Sequence, residues 1–175
     1  MRGNSHVRCE VGENLEIISK DYLSLLLNSL RYDNAKDNTQ GNIDETRLLL
    51  LKEIVDKTSA KIVLSSSWRK HWNQNAELCD EIGKNLTAVF SKHSLFIYEK
   101  TPQSPTNDRA EEIQIWLNTH KNIEAFVILD DIAFGWGTLQ DHLVQTNYRI
   151  GKGLEEKHIQ KAIDILTQKN EQRHK

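Results

Sequence analysis

The sequence predicts an α/β fold, a sandwich with a mostly parallel sheet, because short apolar runs alternate along the chain with segments of helical periodicity. The two clearest runs, rich in Val and Ile, are residues 62–64 and residues 126–129. Runs of this kind are typical of strands buried on both faces. Each is followed at once by polar residues, three serines at 65–67 and two aspartates at 130–131. In open α/β sheets the carboxyl edge of the strands is where ligands bind, so we expect a site there.

Composition limits the classes of protein that this chain can belong to. At 175 residues it is long enough for one domain with a core of its own. The net charge of −2 gives no global electrostatic case for nucleic-acid binding, although a local patch is compatible with it. Cys9 and Cys79 do not make a disulfide framework, and seven scattered histidines lack zinc-ligand spacing. Without a signal peptide or a membrane-length apolar run, we expect a cytoplasmic protein with no membrane partner.

The first half of the chain is predicted to be a polar lead-in followed by two helices and a strand. We assign residues 1–17 to the lead-in, 18–167 to one domain and 168–175 to a flexible tail. Ser19 is the predicted N-cap of the first helix, and Asp44 that of the second. A strand is expected at Lys61. The apolar positions of the two helices are Tyr22, Leu23, Leu26, Leu27 and Leu30 in the first, and Leu48, Leu51, Ile54 and Val55 in the second.

The second half is predicted to continue the alternation of helix and strand. Asn107 is the predicted cap of a helix that carries Trp116, and the last helix is expected at residues 154–166. The remaining expectations are a weaker helical stretch at 70–90 with Leu78, Ile82 and Leu86 as its apolar face, a strand at 95–98, a rigid loop at 101–105, a strand at 125–129, a glycine loop at 135–137 and an apolar patch at 143–144.

The serine segment is the first candidate for binding. Its hydroxyls and free backbone N–H groups could hold phosphate oxygens, although serines are also ordinary turn residues. Arg69 favours binding, because a guanidinium can clamp a phosphate through two hydrogen bonds. Trp68 and Trp72 flank it, and they could stack on a base or simply pack in the core.

The acidic pair at 130–131 is the second candidate. Two adjacent carboxylates after an apolar strand are costly to desolvate unless a positive charge pairs with them, and Mg²⁺ would meet that need. Alternatively, one caps a turn and the other is solvated. Arg109 begins a helix, where its charge opposes the helix dipole, so either a phosphate contact or an ion pair with Glu111 or Glu112 would account for it. Lys100 is a weaker candidate for the same basic role.

Together these motifs resemble the haloacid-dehalogenase-like (HAD) phosphohydrolase superfamily, and within it the HAD domain of Swiss Army Knife RNA repair proteins. The resemblance runs from about residue 18 to residue 166 and implies a Rossmann-like three-layer sandwich. It also implies roles for individual residues. Ser65 would bind the phosphoryl group, with Ser66 next to it, and Arg109 would stabilise that group. Asp130 and Asp131 would hold Mg²⁺, and Arg69 would contact the substrate phosphate.

One motif of the family is missing from the sequence. The family begins with an apolar strand ending in Asp-x-Asp-Gly, whose first Asp attacks phosphorus and whose second handles the leaving-group proton. No apolar strand ending in a carboxylate precedes Lys61: Asp21 falls in the predicted first helix, and Asp33 and Asp37 lie in a polar stretch. We therefore expect a sheet that lacks its first central strand.

Three functional hypotheses follow. The first, which we favour, is a Mg²⁺-dependent phosphomonoester hydrolase that is N-terminally truncated and inactive as written; its partner would be a phosphorylated small molecule or a nucleic-acid end. The second is a natural relative that binds phosphate or nucleic acid without hydrolysis. The third is an α/β protein whose serines and acidic pair are structural. Whether the chain is an enzyme thus stays open, as do its substrate and oligomeric state.

Overall fold

The computed structural model describes residues 21–25, 43–147 and 153–168. Those residues form a five-stranded parallel sheet in the order β3-β2-β1-β4-β5, together with four α-helices. The strands are β1 (Asp21–Leu25), β2 (Lys61–Leu64), β3 (Ile97–Lys100), β4 (Ala125–Asp130) and β5 (Leu143–Gln145). The helices are α1 (Glu45–Thr58), α2 (Glu81–Lys92), α3 (Arg109–Thr119) and α4 (Glu156–Thr167).

Strand β1 overturns the largest sequence-based expectation. Asp21–Leu25 was predicted to be helical, yet it forms the central strand and pairs in parallel with β2 on one side and β4 on the other. The expectation that the sheet lacks its central strand is therefore wrong. A short apolar run does not distinguish a helix from a buried strand by periodicity alone, and here sheet pairing decides. The predicted cap Ser19 and the rest of that helix lie outside the described residues.

The sheet lies between helices, as in a three-layer α/β fold. Val127 and Leu129 of β4 pack into a larger core with α1, α2 and α4, whereas Ile128 packs into a smaller core with α3. This division follows from the alternation of side chains along a strand. The predicted α/β sandwich with a mostly parallel sheet is thus confirmed.

Local signals predicted some helix ends correctly and others wrongly. Asp44 caps α1 as expected, since its carboxylate accepts a hydrogen bond from the backbone N–H of Thr46 at 2.9 Å. Asn107 does not cap α3: it adopts a positive φ of 55°, and Asp108 is the cap. Leu78 was predicted to be buried, but it is exposed and lies in a separate short 3-10 turn before α2.

The other predicted elements are present with shifted bounds. The strand expected at 95–98 is β3, two residues later, and the apolar patch at 143–144 lies in β5. The final helix is α4, and residues 169–175 of the predicted tail lie outside the described residues. None of the helices within the described ranges is long and apolar enough to cross a bilayer.

Candidate functional site

The carboxyl ends of the parallel strands bring the predicted site residues to one edge of the sheet. The register pairs Leu25 of β1 with Leu64 of β2 and with Leu129 of β4. The residue after Leu64 is Ser65, and the residue after Leu129 is Asp130. The two therefore lie on opposite sides of the end of β1, as the sequence-based prediction requires of a shared site.

The serine turn after β2 is buried, and one of its hydroxyls has no partner within the described ranges. Ser65 and Ser66 are each 1% exposed. Thr101 lies beside them, because its backbone N–H donates to the carbonyl of Leu64 at 3.0 Å. Among the described residues, the hydroxyls of Ser66 and Thr101 make no hydrogen bond. A buried polar group left unpaired costs about 1–3 kcal/mol, so these hydroxyls are candidates for contact with a ligand.

Arg69 supports this turn from inside the protein. Its guanidinium donates to the carbonyls of Ser65 and Ser66 at 2.7 and 3.4 Å, and to the Glu112 carboxylate at 2.5 Å. Glu112 is 1% exposed and also accepts a hydrogen bond from the backbone N–H of Ser104 at 3.1 Å. In this geometry Arg69 orients the serine turn, and the substrate contact predicted for it stays untested. Sequence reasoning missed Glu112 as its partner.

Arg109 pairs with Asp130. The guanidinium Nη1 lies 2.6 Å from Asp130 Oδ2, so Arg109 pairs with Asp130 and not with Glu111 or Glu112, the partners of the alternative left open by the sequence. The backbone N–H of Ile132 donates to the other carboxylate oxygen of Asp130 at 2.9 Å. Burial raises the pKa of Asp130, while the Arg109 charge opposes that rise. The pairing fixes an arginine at the carboxyl edge of the sheet, at the start of α3.

Lys100, the weaker basic candidate, is hydrogen-bonded to two backbone carbonyls. Its ammonium donates to the carbonyls of Arg69 and Trp72, at 2.9 and 2.5 Å. Trp72 is buried in the larger core and Trp68 packs against it, so core packing accounts for both tryptophans.

The described residues do not fit the Mg²⁺ site that the resemblance implies. Asp130 is 0% exposed, and both of its carboxylate oxygens already accept hydrogen bonds. Asp131 is partly exposed and offers one carboxylate. No group of three or more His, Cys, Asp or Glu side chains suited to a metal occurs within the described ranges. We therefore derive no chemical step through a metal ion.

The loop after β4 contains the predicted glycine loop at 135–137 and, in addition, exposes an aromatic side chain. Trp136 is buried, and its indole N–H donates to the carbonyl of Ile132 at 2.9 Å, which closes the loop on itself. Gly135 and Gly137 have φ values of 88° and 52°, which favour glycine. Phe134 is 81% exposed at the tip. The glycines on either side of Trp136 signalled a constrained loop, but not which aromatic residue it exposes.

The family comparison agrees with this geometry. Residues 25–159 match the family described as the HAD domain in Swiss Army Knife RNA repair proteins. The chain belongs to this family. No curated protein and no solved structure matches the chain. A HAD domain is of the phosphohydrolase kind, and the parallel sheet with its site at the carboxyl edge agrees with that assignment.

This HAD domain departs from the family's first motif at the end of β1. The match begins at Leu25, the last residue of that strand, and the sequence continues with Leu26, Leu27 and Asn28. The next carboxylate along the chain is Asp33. The central strand is thus present, but the residue that follows Leu25 in the sequence is a leucine and not an aspartate.

Proposed function

We propose that this HAD domain binds a phosphoester, preferably a phosphorylated nucleic-acid end, and does not hydrolyse it through an aspartyl-phosphate. The observation that carries the proposal is the register of β1 with its two neighbours. It places Leu25, the last residue of β1, between Leu64 and Leu129, and the residue that follows Leu25 in the sequence is another leucine, whose side chain cannot attack phosphorus. The hypothesis of a truncated hydrolase rested on a missing strand, and β1 occupies that place.

Phosphate binding is supported by the polar groups that remain at the edge. The hydroxyls of Ser66 and Thr101, which have no partner among the described residues, can each donate to a phosphate oxygen, and Arg109 supplies a partly exposed guanidinium. These groups need no nucleophile to hold a ligand.

A nucleic-acid end is supported by the loop after β4. Phe134 is largely exposed and lies four residues beyond Asp130, in the loop that leaves the carboxyl end of β4. An aromatic face stacks on any nucleobase, with about 1–3 kcal/mol per base. A small phosphorylated molecule without a base would make no stacking contact with the Phe134 ring.

Binding and turnover are to be measured on the same preparation. We expect no phosphate release from p-nitrophenyl phosphate or from a 3′-phosphorylated oligonucleotide with Mg²⁺. Fluorescence anisotropy should show that the 3′-phosphorylated oligonucleotide binds more tightly than its 3′-hydroxyl counterpart, with an affinity that falls as salt is raised. Turnover that is lost in Asp130→Asn would overturn the non-catalytic proposal, and equal affinity for the two oligonucleotides would overturn phosphate recognition.

Two variants test the ligand contacts. Ser66→Ala removes a buried hydroxyl that has no partner in the part of the chain that the structure describes, so we expect weaker binding with unchanged or higher stability. Ser91→Ala, at an exposed position of α2, is its control. Phe134→Ala should weaken oligonucleotide binding but not the binding of a phosphoester without a base. If Phe134→Ala leaves both affinities unchanged, the nucleic-acid preference is wrong.

A further inference from the structure

We infer that phosphate binding at this edge is independent of Mg²⁺ and that Arg109 supplies the positive charge. This inference rests on the proposed function. It departs from the metal dependence that the family resemblance implies, and it follows from the ion pairs around Asp130 and Glu112.

Each of the two buried carboxylates at the edge is already matched by an arginine. Asp130 pairs with Arg109 at 2.6 Å, and Glu112 pairs with Arg69 at 2.5 Å. A dication needs carboxylates whose charge is uncompensated, since it must offset the loss of its own hydration shell. Within the described residues, both buried carboxylates of this edge are neutralised by side chains of the chain itself.

Binding of a metal ion at Asp130, in the place of the Arg109 guanidinium, would be unfavourable for two reasons. The metal would have to displace a short ion pair, and the backbone N–H of Ile132 already occupies the other carboxylate oxygen. Mg²⁺ also demands near-octahedral geometry. Beside Asp130, the metal ion would then have Asp131, which is partly exposed, as its second carboxylate ligand.

Arg109 keeps the capacity to bind an anion while it is paired. A guanidinium has five N–H donors, and in the described part of the chain Arg109 uses Nη1 alone, towards Asp130. Its side chain is 24% exposed. Asp130 can therefore hold the guanidinium in a fixed orientation while Nη2 and Nε face a phosphate, so Asp130 acts as a positioning residue.

The decisive comparison is oligonucleotide binding with and without the metal. Anisotropy of the full chain with a 3′-phosphorylated oligonucleotide is measured at one ionic strength, in excess EDTA and in millimolar Mg²⁺. We expect the same affinity in both. Binding that requires Mg²⁺ overturns this inference and leaves the proposed function standing, whereas absence of binding in both conditions overturns the proposed function itself.

The variants separate the charge of Arg109 from the stability of the fold. Arg109→Gln should weaken binding about tenfold or more, since a charge-assisted hydrogen bond contributes about 1.5–3 kcal/mol. This change leaves the buried Asp130 without its counter-charge, so the double variant Arg109→Gln/Asp130→Asn is tested as well. The double variant removes both charges, and we expect it to bind the oligonucleotide more weakly too. The control is Lys84→Gln, which also removes one positive charge but at an exposed position of α2. We expect it to bind the oligonucleotide with unchanged affinity.

Calorimetry gives a readout that does not depend on the oligonucleotide. Titration of Mg²⁺ alone into the protein should give no binding heat, and Asp131→Asn should give the same trace. Saturable heat that disappears in Asp131→Asn would demonstrate a metal site and overturn the inference.

Discussion

At the residue scale, the contact between Arg69 and Glu112 fixes the serine turn. Both side chains are nearly inaccessible, at 9% and 1% exposure, and they lie 43 residues apart in the sequence. The pair connects the turn after β2 to α3, so the positions of Ser65 and Ser66 depend on it. A buried pair of this kind is strongly destabilised when one partner is removed, because the other charge is left without compensation.

We predict that Arg69→Met lowers the free energy of unfolding by about 3–5 kcal/mol, because it leaves the Glu112 carboxylate buried and unpaired. Adding Glu112→Leu should recover most of that loss, since an apolar pair of similar volume replaces the ion pair. The free energy of unfolding is measured by urea denaturation for the unaltered protein, for Arg69→Met and for the double variant. The control is Lys52→Met, in the exposed Lys52–Asp56 pair, which should cost less than about 1 kcal/mol. An Arg69→Met variant as stable as this control would contradict the prediction.

Much of the site follows from local sequence, and the rest depends on tertiary pairing. The residues after β2 and β4 could be predicted to meet, because parallel strands end at one edge of a sheet. The partners of the arginines could not. Arg109 had Glu111 and Glu112 within helical reach, but it pairs with Asp130, 21 residues away. Arg69 pairs with Glu112, 43 residues away, and no local pattern indicated a partner for it.

At the element scale, strand β1 was predicted less well than helix α1. Helix α1 has an aspartate cap and a repeated apolar face, and its prediction is confirmed. Strand β1 has five residues, too few for periodicity to exclude a helix. Its pairing with β2 and β4 is a non-local interaction that no local pattern contains. The error about β1 also affected the functional hypothesis, since it made the central strand seem absent.

Helix α4 provides a prediction about pH. His158 is buried, and its Nδ1 accepts a hydrogen bond from the backbone N–H of Glu155 at 3.0 Å, as part of a capping box. Burial lowers the pKa of His158; the nearby charges of Lys157 and Lys161 lower it further, and that of Glu155 opposes them. The unfolded chain therefore binds this proton more readily, so the free energy of unfolding should fall as pH drops below about 6.5.

Replacing His158 by Gln removes that titration while keeping a side-chain acceptor near the helix start. We expect His158→Gln to lose less stability than the unaltered protein between neutral pH and the lowered pKa. Urea denaturation at a series of pH values gives the comparison. Gln160→Ala, an exposed change on the same helix, should keep the original slope. An unchanged slope in His158→Gln would show that the acid sensitivity arises elsewhere.

At the scale of the whole molecule, β1 connects the two halves of the sheet. It pairs with β2 on one side and β4 on the other, and in the described sheet it separates β2, which ends just before Ser65, from β4, which ends in Asp130. The same strand determines the spacing of the site and the integrity of the fold. A central strand opens only when much of the sheet opens, so its amides report global stability.

We predict that the backbone amides of β1 exchange with solvent deuterium only through global unfolding, because a central strand donates to both neighbours. Leu23→Pro should abolish cooperative folding, since proline cannot donate to the ladder and is confined to edge strands. Leu23→Val, whose branched side chain suits a strand, should fold normally. Hydrogen exchange by mass spectrometry and urea denaturation provide the measurements. Rapid exchange of residues 22–25, or cooperative folding of Leu23→Pro, would show that β1 is not the central strand. In that case Leu25 would not lie between Leu64 and Leu129, and the proposal of a non-catalytic site would lose its main support.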